Sequence, residues 1–194
     1  MARTGRRPGP STTRAALLEA ARRGFAEGGY EATSIRAIAA AAGVDPAVAL
    51  HFFGSKEGLF RAAVGWPFDP APVAERLAAV PREELGAALA RTFLGFWDDP
   101  ATGEVLSAIL RSAATHEPSA ALLRQFVGDQ LFGRVAGLLE GADAPLRVNL
   151  AAAQLLGVAL LRHVLRLEPI ASASTEELVQ WLGPALGRYL DPKR

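Results

Sequence analysis

Apolar positions recur along this chain at spacings of three and four residues, and no stretch alternates with period two for long enough to argue a strand. The pattern predicts helices over about 12–27, from near Ser55 to just before Pro67, and over 72–79, 82–98, 101–115, 118–140, 145–167 and 175–190. In the first of them Leu17, Ala20, Ala21 and Phe25 share a face, and Gly28 and Gly29 stop it. Pro184 should kink or restart the last. The segment WPFDPAP at 66–72 holds three prolines, cannot be one continuous helix, and is the natural seam between two parts. No internal repeat is evident. The expected fold class is all-α.

Residues 33 to 60 carry the most specific signal. Thr33 and Ser34 can cap a short run whose Ile35, Ile38 and Ala39 fall on one face. Gly43 closes that run as a left-handed cap and Val44 plugs the turn. Asp45 caps a second short helix with Pro46 at its first position, where a missing N–H costs nothing. Helix, glycine turn, helix is the arrangement that lays its second helix in the DNA major groove.

Phe25, Gly28 and Tyr30, then Thr33 and Ile35, IAAAAGV at 38–44, and Phe53, Lys56 and Leu59 together resemble the N-terminal DNA-binding domain of the TetR/AcrR family of bacterial transcriptional repressors. The likeness covers roughly residues 12–62. It implies a helix-turn-helix domain over 12–62, preceded by a flexible basic arm over 1–11 and followed by a helical ligand-binding and dimerisation domain over 63–194. The family usually has a tyrosine where this chain has Leu50, and its hydroxyl typically touches phosphate. Leu50 cannot do so; either His51 substitutes or the contact is absent.

Composition narrows the field. The chain has 194 residues, half of them hydrophobic, and no cysteine, which removes disulfides, thiol nucleophiles and thiolate metal sites. No apolar run reaches about 18 residues free of polar breaks, so no membrane span is expected. The start, MARTGRRPGPSTTR, lacks the apolar segment of a secretory signal. Cysteine usage fits a reducing cytoplasm, and the family resemblance implies a bacterial one. The net charge of +1 hides an asymmetry: residues 1–62 carry nine basic and five acidic side chains, the remainder twelve and fifteen. The positive field therefore sits with the helix-turn-helix.

These readings give candidate DNA contacts. Ala47 and Leu50 suit van der Waals contact with thymine methyls, His51 a base edge or phosphate, and Arg36 a base from the preceding helix. Lys56 and Thr33 are expected on phosphates, while Ser34, Asp45 and Pro46 set the two helix starts. Arg3, Arg6 and Arg7 could add contacts from the arm.

Further along, Phe93, Phe96 and Trp97, then Leu106, Ile109 and Leu110, then Leu122 and Phe126 form apolar stripes. Such stripes are ordinary core in most helical proteins. The family resemblance gives them a second meaning, because the same part of its members usually encloses a small molecule; Arg111 would then be a polar contact. The stripes contain no mid-helix carboxylate, so the expected ligand is a neutral or weakly anionic hydrophobic molecule.

In 145–167, Leu146, Leu150, Ala153, Gly157, Leu160 and Val164 make one stripe, and other sides of the same helix are apolar too. A helix apolar nearly all round must be covered on two sides. In 175–190, Trp181, Leu182 and Leu186 form another stripe, with Gly183 and Gly187 one turn apart, where a second helix could approach. By resemblance these two helices make a homodimer.

Enzyme readings fare poorly. His51, His116 and His163 lack metal-ligand spacing, and no nucleophile elbow, phosphate loop or dinucleotide fingerprint is present. His163, between arginines, reads as an interface or surface residue rather than a base. No cofactor is expected. Two functions remain: a DNA-binding regulator, expected as a repressor that a small hydrophobic ligand releases from operator DNA, or a helical-bundle small-molecule binding protein without specific DNA binding.

Overall fold

The computed structural model describes residues 10–191. Among these the chain is helical, without strands: α1 (Pro10–Ala32), α2 (Ile35–Ala41), α3 (Pro46–Phe53), α4 (Lys56–Val64), α5 (Pro70–Ala78), α6 (Leu85–Asp98), α7 (Pro100–Thr115), α8 (Glu117–Gln125), α9 (Gly133–Ala136), α10 (Ala144–Ala159) and α11 (Thr175–Leu190). A 3-10 turn (Arg82–Glu84) leads into α6, and π-helical segments follow α8 (Phe126–Phe132) and α10 (Leu160–Val164). The expected arm contacts Arg3, Arg6 and Arg7 lie outside the described residues.

The chain forms two compact units. One takes the sequence up to Trp66 together with Ser112–Phe126; the other takes Pro67–Arg111 together with everything from Val127 onward. The proline-rich seam thus marks only the first crossing. The return of residues 112–126 to the first unit has no signature in the apolar spacing.

The first unit packs α1, α2, α3, α4 and α8 around an aromatic centre. Leu17, Ala20, Ala21 and Phe25 of α1 are buried, as their spacing predicts. Phe60 of α4 is fully buried, with ring centroids 4.7 Å from Phe25, 4.9 Å from Tyr30 and 5.7 Å from Phe126. Phe126 also meets Trp66 at 5.2 Å. The α1 span contains a kink at Gly29, whose φ is +77°. There the Tyr30 N–H donates to Gln125 Oε1 at 3.1 Å, which ties the bend to the end of α8. Arg22 Nε donates to the Ala63 carbonyl at 2.9 Å and fastens α1 to α4.

The second unit is built on α6, α10 and α11. Ala90 and Leu94 of α6, Ala151 and Leu155 of α10, and Val179, Leu182 and Leu186 of α11 form one buried cluster. The small residues Gly86 and Gly183 let α6 and α11 approach backbone to backbone: a β-carbon on Gly86 would stand 2.3 Å from the Gly183 carbonyl oxygen and 2.7 Å from the Gly187 nitrogen. The glycine pair in the last helix therefore does admit a close neighbour, but that neighbour is the chain's own α6. Leu182, Gly183 and Leu186 are consequently buried within the chain and are withdrawn from the expected dimer surface. The α11 helix runs on through Pro184 and does not restart there. Pro184 sits on the exposed side, where water can satisfy the carbonyl that loses its helical donor.

Two arginines hold this unit together, Arg147 buried and Arg162 half-buried, each bonding to groups distant in sequence. Arg147, 7% exposed, donates to the carbonyls of Tyr189, Leu190 and Glu140, and its Nε lies 3.1 Å from Asp143. It clamps the end of α11 to the start of α10. Arg162 donates to the carbonyls of Ile170 and Ala173 and pairs with Asp98 at 3.2 Å, while Thr175 donates to the other Asp98 oxygen. Asp98 thus joins the end of α6 to the π-helical segment after α10 and to the first residue of α11.

Residues Ala144–Val164 reach a mean hydropathy of 1.5 over a length that could cross a bilayer, and 33% of that window is buried. A search for uninterrupted apolar runs misses it because Arg147, Asn149 and Gln154 break the run. One face of this helix packs on α6 and α11; the other is bare.

Candidate nucleic-acid interface and the paired-helix surface

The helix-turn-helix forms by local chemistry throughout. The Ser34 hydroxyl accepts from the Ala37 N–H at 3.1 Å and starts α2. At its end the Val44 N–H reaches the Ala39 carbonyl at 2.9 Å and the Gly43 N–H the Ala40 carbonyl at 3.1 Å. That pair of bonds is the Schellman closure, which requires the left-handed conformation that Gly43 adopts at φ +69°. Asp45 Oδ1 then accepts from the Ala47 N–H at 2.8 Å and starts α3, with Pro46 in the first turn. The chain bends by 109° between α2 and α3, within the range of DNA-binding helix pairs.

The orientation of α3 follows from one side chain. Ala49 is buried at 1% exposure, so Ala47, Leu50 and His51 on the other side face outward. Leu50 is 45% exposed. Arg36 projects from α2 and is also exposed. The outward surface is therefore one guanidinium beside small, apolar and imidazole groups.

Two expected phosphate ligands have internal duties. Thr33 is buried at 8% exposure and its hydroxyl donates to the Gly24 carbonyl at 2.8 Å. Its side chain stitches α1 to α2 and is not available to DNA, which corrects the sequence reading. Lys56 is half-buried; its ammonium lies 4.4 Å from the Tyr30 ring centroid and donates to the Glu31 carbonyl at 3.3 Å. One ammonium can do this and still offer other protons outward, because it carries three donors.

The residues expected around a ligand do not stay together. Leu122 and Phe126 are buried in the first unit, Phe126 between Phe60 and Trp66, because α8 packs on α1. They are core of the helix-turn-helix unit, a second correction. Phe93, Phe96, Trp97, Leu106, Ile109, Leu110 and Arg111 belong to the second unit. There Phe96 stacks face to face on Phe68, with centroids 3.8 Å apart and planes 5° from parallel. Trp97, 5% exposed, stacks on His163 at 5.6 Å. Burial holds His163 below the ordinary imidazole range, with Asp98 pulling the other way and Arg162 adding to the depression. Leu106 is buried, Phe93, Ile109 and Leu110 are half-buried, and Arg111 is exposed. Among the described residues no group of three or more His, Asp or Glu side chains is placed to hold a metal ion.

The stripe read on α10 and its π-helical extension is bare along its whole length. Leu146, Leu150, Ala153, Gly157, Leu160 and Val164 are all exposed, Leu146 to 62%. Trp181 of α11 is 83% exposed. A β-carbon on Gly157 or Gly187 would meet nothing within 4 Å, so neither glycine's open side is filled by the chain itself.

Comparison with known proteins places this geometry. Residues 17–63 match the family described as bacterial regulatory proteins, tetR family, and residues 83–190 match the tetracyclin repressor-like C-terminal domain. The chain is 32% identical over 173 residues to the HTH-type transcriptional regulator BetI of Rhizobium meliloti (strain 1021), covering 86% of this chain and 85% of that one. It is 45% identical over 53 residues to the HTH-type transcriptional repressor AcnR of Corynebacterium glutamicum, covering 27% of this chain and 28% of that one. Among solved structures, a TetR-family regulator of Streptomyces coelicolor A3 is 36% identical, with 96% of this chain and 98% of that chain covered and a TM-score of 0.47. A capped helix pair with an outward second helix, and a matched helical domain filling the rest of the chain, settle what kind of protein this is: the chain belongs to the TetR family of DNA-binding transcriptional regulators, which are not enzymes.

Proposed function

We propose that this regulator is a repressor that binds a pseudo-palindromic operator as a homodimer in the bacterial cytoplasm, and that a small hydrophobic ligand in its second unit releases it. The observation that carries the operator reading is the outward face of α3, where Ala47, Leu50 and His51 are exposed beside Arg36. One such helix reads too few bases alone, so pairing is needed for specificity. The bare stripe on α10, with Trp181 beside it in sequence terms one helix later, supports that pairing. Leu146, Leu150, Ala153, Gly157, Leu160, Val164 and Trp181 are the proposed contacts, and Gly187 offers an open side.

The ligand reading draws support from the aromatic set Phe68, Phe93 and Phe96 in the second unit. The acid at the end of that helix, Asp98, is engaged by Arg162 and Thr175, and so is a poor counter-charge for an organic cation. A neutral or weakly anionic ligand follows. Its effect would travel along the chain at Trp66–Pro67 and through α7, whose residues divide between the units at Arg111.

Footprinting and titration on the DNA flanking the gene test the recognition surface. Arg36→Ala should weaken specific binding by about tenfold to a hundredfold, the cost of one lost base contact. Ala47→Glu should be worse, because a carboxylate would enter a groove lined by phosphates. If neither variant changes operator affinity, the recognition surface lies elsewhere. Lys56→Met should weaken all sequences alike and reduce the slope of log affinity against log salt by about one; its thermal stability must be measured alongside, because Lys56 also rests on Tyr30.

A further inference from the structure

The exposed side of α11 carries a charge pattern that specifies how two chains meet. Glu177, Trp181, Pro184 and Arg188 are spaced four, three and four residues apart, so they share one face, and all four are exposed. The opposite face, with Val179, Leu182, Gly183, Leu186 and Leu190, is buried in the chain's own core. On the flank, Glu176 is already held by Arg91 through two bonds of 2.7 and 2.8 Å. The exposed face thus begins with an acid, ends with a base about 16 Å further on, and has a tryptophan and a proline between them. The exposed α10 stripe, Leu146, Leu150, Ala153, Gly157, Leu160 and Val164, brings no charge of its own.

We propose that α11 packs against α11 of a second copy in antiparallel register, with the twofold axis between Trp181 and Pro184, so that Glu177 of each chain pairs with Arg188 of the other and Trp181 covers Pro184. This deepens the homodimer reading above and rests on it. The choice of register follows from charge. A twofold contact is self-complementary, with residue i on residue j and j on i. Antiparallel pairing about that axis brings both charges onto opposite partners. Parallel pairing sets Glu177 against Glu177 and Arg188 against Arg188, and like charges in juxtaposition are costly. Glu177 stays available for this role: its Oε2 accepts from the Ser174 N–H and hydroxyl to close the helix cap, and its Oε1 takes no part in that cap. The Ser174 bonds also hold its carboxyl below the usual range, so it is ionised at neutral pH. Trp181 in the centre is the residue type that anchors interfaces, flanked by the charged rim.

The experiment uses the full chain in sedimentation equilibrium: wild type, Glu177→Lys, Arg188→Glu, and an equimolar mixture of the two variants. Each variant alone faces two like-charge pairs and should dimerise about tenfold more weakly than wild type. In the mixture, each chain's reversed charge meets the other chain's opposite charge. The heterodimer should recover wild-type affinity to within about threefold. Variants that dimerise as well as wild type, or a mixture no tighter than its components, overturn the register while leaving the homodimer standing. A wild-type chain that stays monomeric overturns the homodimer reading itself. Glu177→Lys also removes the cap acceptor, so its helicity is checked by circular dichroism. If it fails to fold, Glu177→Gln in the Arg188→Glu background replaces it. That double variant keeps an oxygen for Ser174 and should dimerise more tightly than Arg188→Glu alone; equal or weaker association contradicts the pairing.

Discussion

Gly86→Ala is expected to destabilise the second unit by about 3 kcal/mol, the upper end of the cost of over-packing. The added methyl would lie 2.3 Å from the Gly183 carbonyl oxygen, 2.7 Å from the Gly187 nitrogen and 3.1 Å from the Gly187 α-carbon. All three neighbours are backbone, so no rotamer change relieves the clash. The helices α6 and α11 must separate, and their separation opens the cluster of Ala90, Leu94, Leu182 and Leu186. For a chain of this size the cost corresponds to roughly 6–12 °C in Tm. Alanine is the better helix former, so propensity alone predicts the opposite sign. Gly95, on the same helix, supplies the control. A β-carbon there meets nothing within 4 Å, and Gly95→Ala should leave Tm unchanged or raise it. Thermal melts of both variants decide the matter; equal melting would show that the two backbones do not touch.

Phe60→Ala is expected to cost about 3–5 kcal/mol and to abolish operator binding at growth temperature while sparing the helices of the second unit. Phe60 is fully buried and its ring lies against Phe25, Tyr30 and Phe126. Through them it joins α1, α4 and the return segment that carries α8. Removing it leaves a cavity bounded by three rings that cannot all collapse inward. Phe60→Leu keeps most of the volume and should lose about a third to a half as much. Hydrogen exchange separates the two units: faster exchange should appear in residues up to Trp66 and in 112–126, with Ala90, Leu94, Leu155 and Leu186 still protected. Equal loss of protection throughout would mean that the units do not unfold separately.

What could be read from the sequence was local. Caps, turn and apolar spacing between Thr33 and Leu59 depend on neighbours within a few residues, and Ser34, Gly43 and Asp45 act as their types require. The buried face of α1 was legible for the same reason. Long-range choices were not. Gly183 and Gly187 announce that a helix comes close, but spacing on one helix cannot tell whether the visitor is α6 or another chain. Thr33 sits where a phosphate contact is natural, and only the fold shows its hydroxyl on the Gly24 carbonyl. Phe126 has the same periodicity as Phe93 and Phe96, yet it belongs to the other unit because α8 returns to α1. Arg147 reaches the Tyr189 and Leu190 carbonyls and Asp98 reaches Arg162 and Thr175, partners too far along the chain for a short window to contain. The α10 stripe was legible because the signal there is an excess: more apolar faces than one chain's own core can cover.

Whether a pair of these chains reads DNA through α3 is decided by titrating the protein into labelled DNA flanking its gene, with excess non-specific competitor present. Binding should be saturable with an even number of chains per site, with a footprint of two half-sites whose centres are separated by about one helical turn or a multiple of it. Ala47→Glu should erase that footprint while leaving the protein folded. Binding that the competitor removes entirely, or a site saturated by one chain, would contradict it.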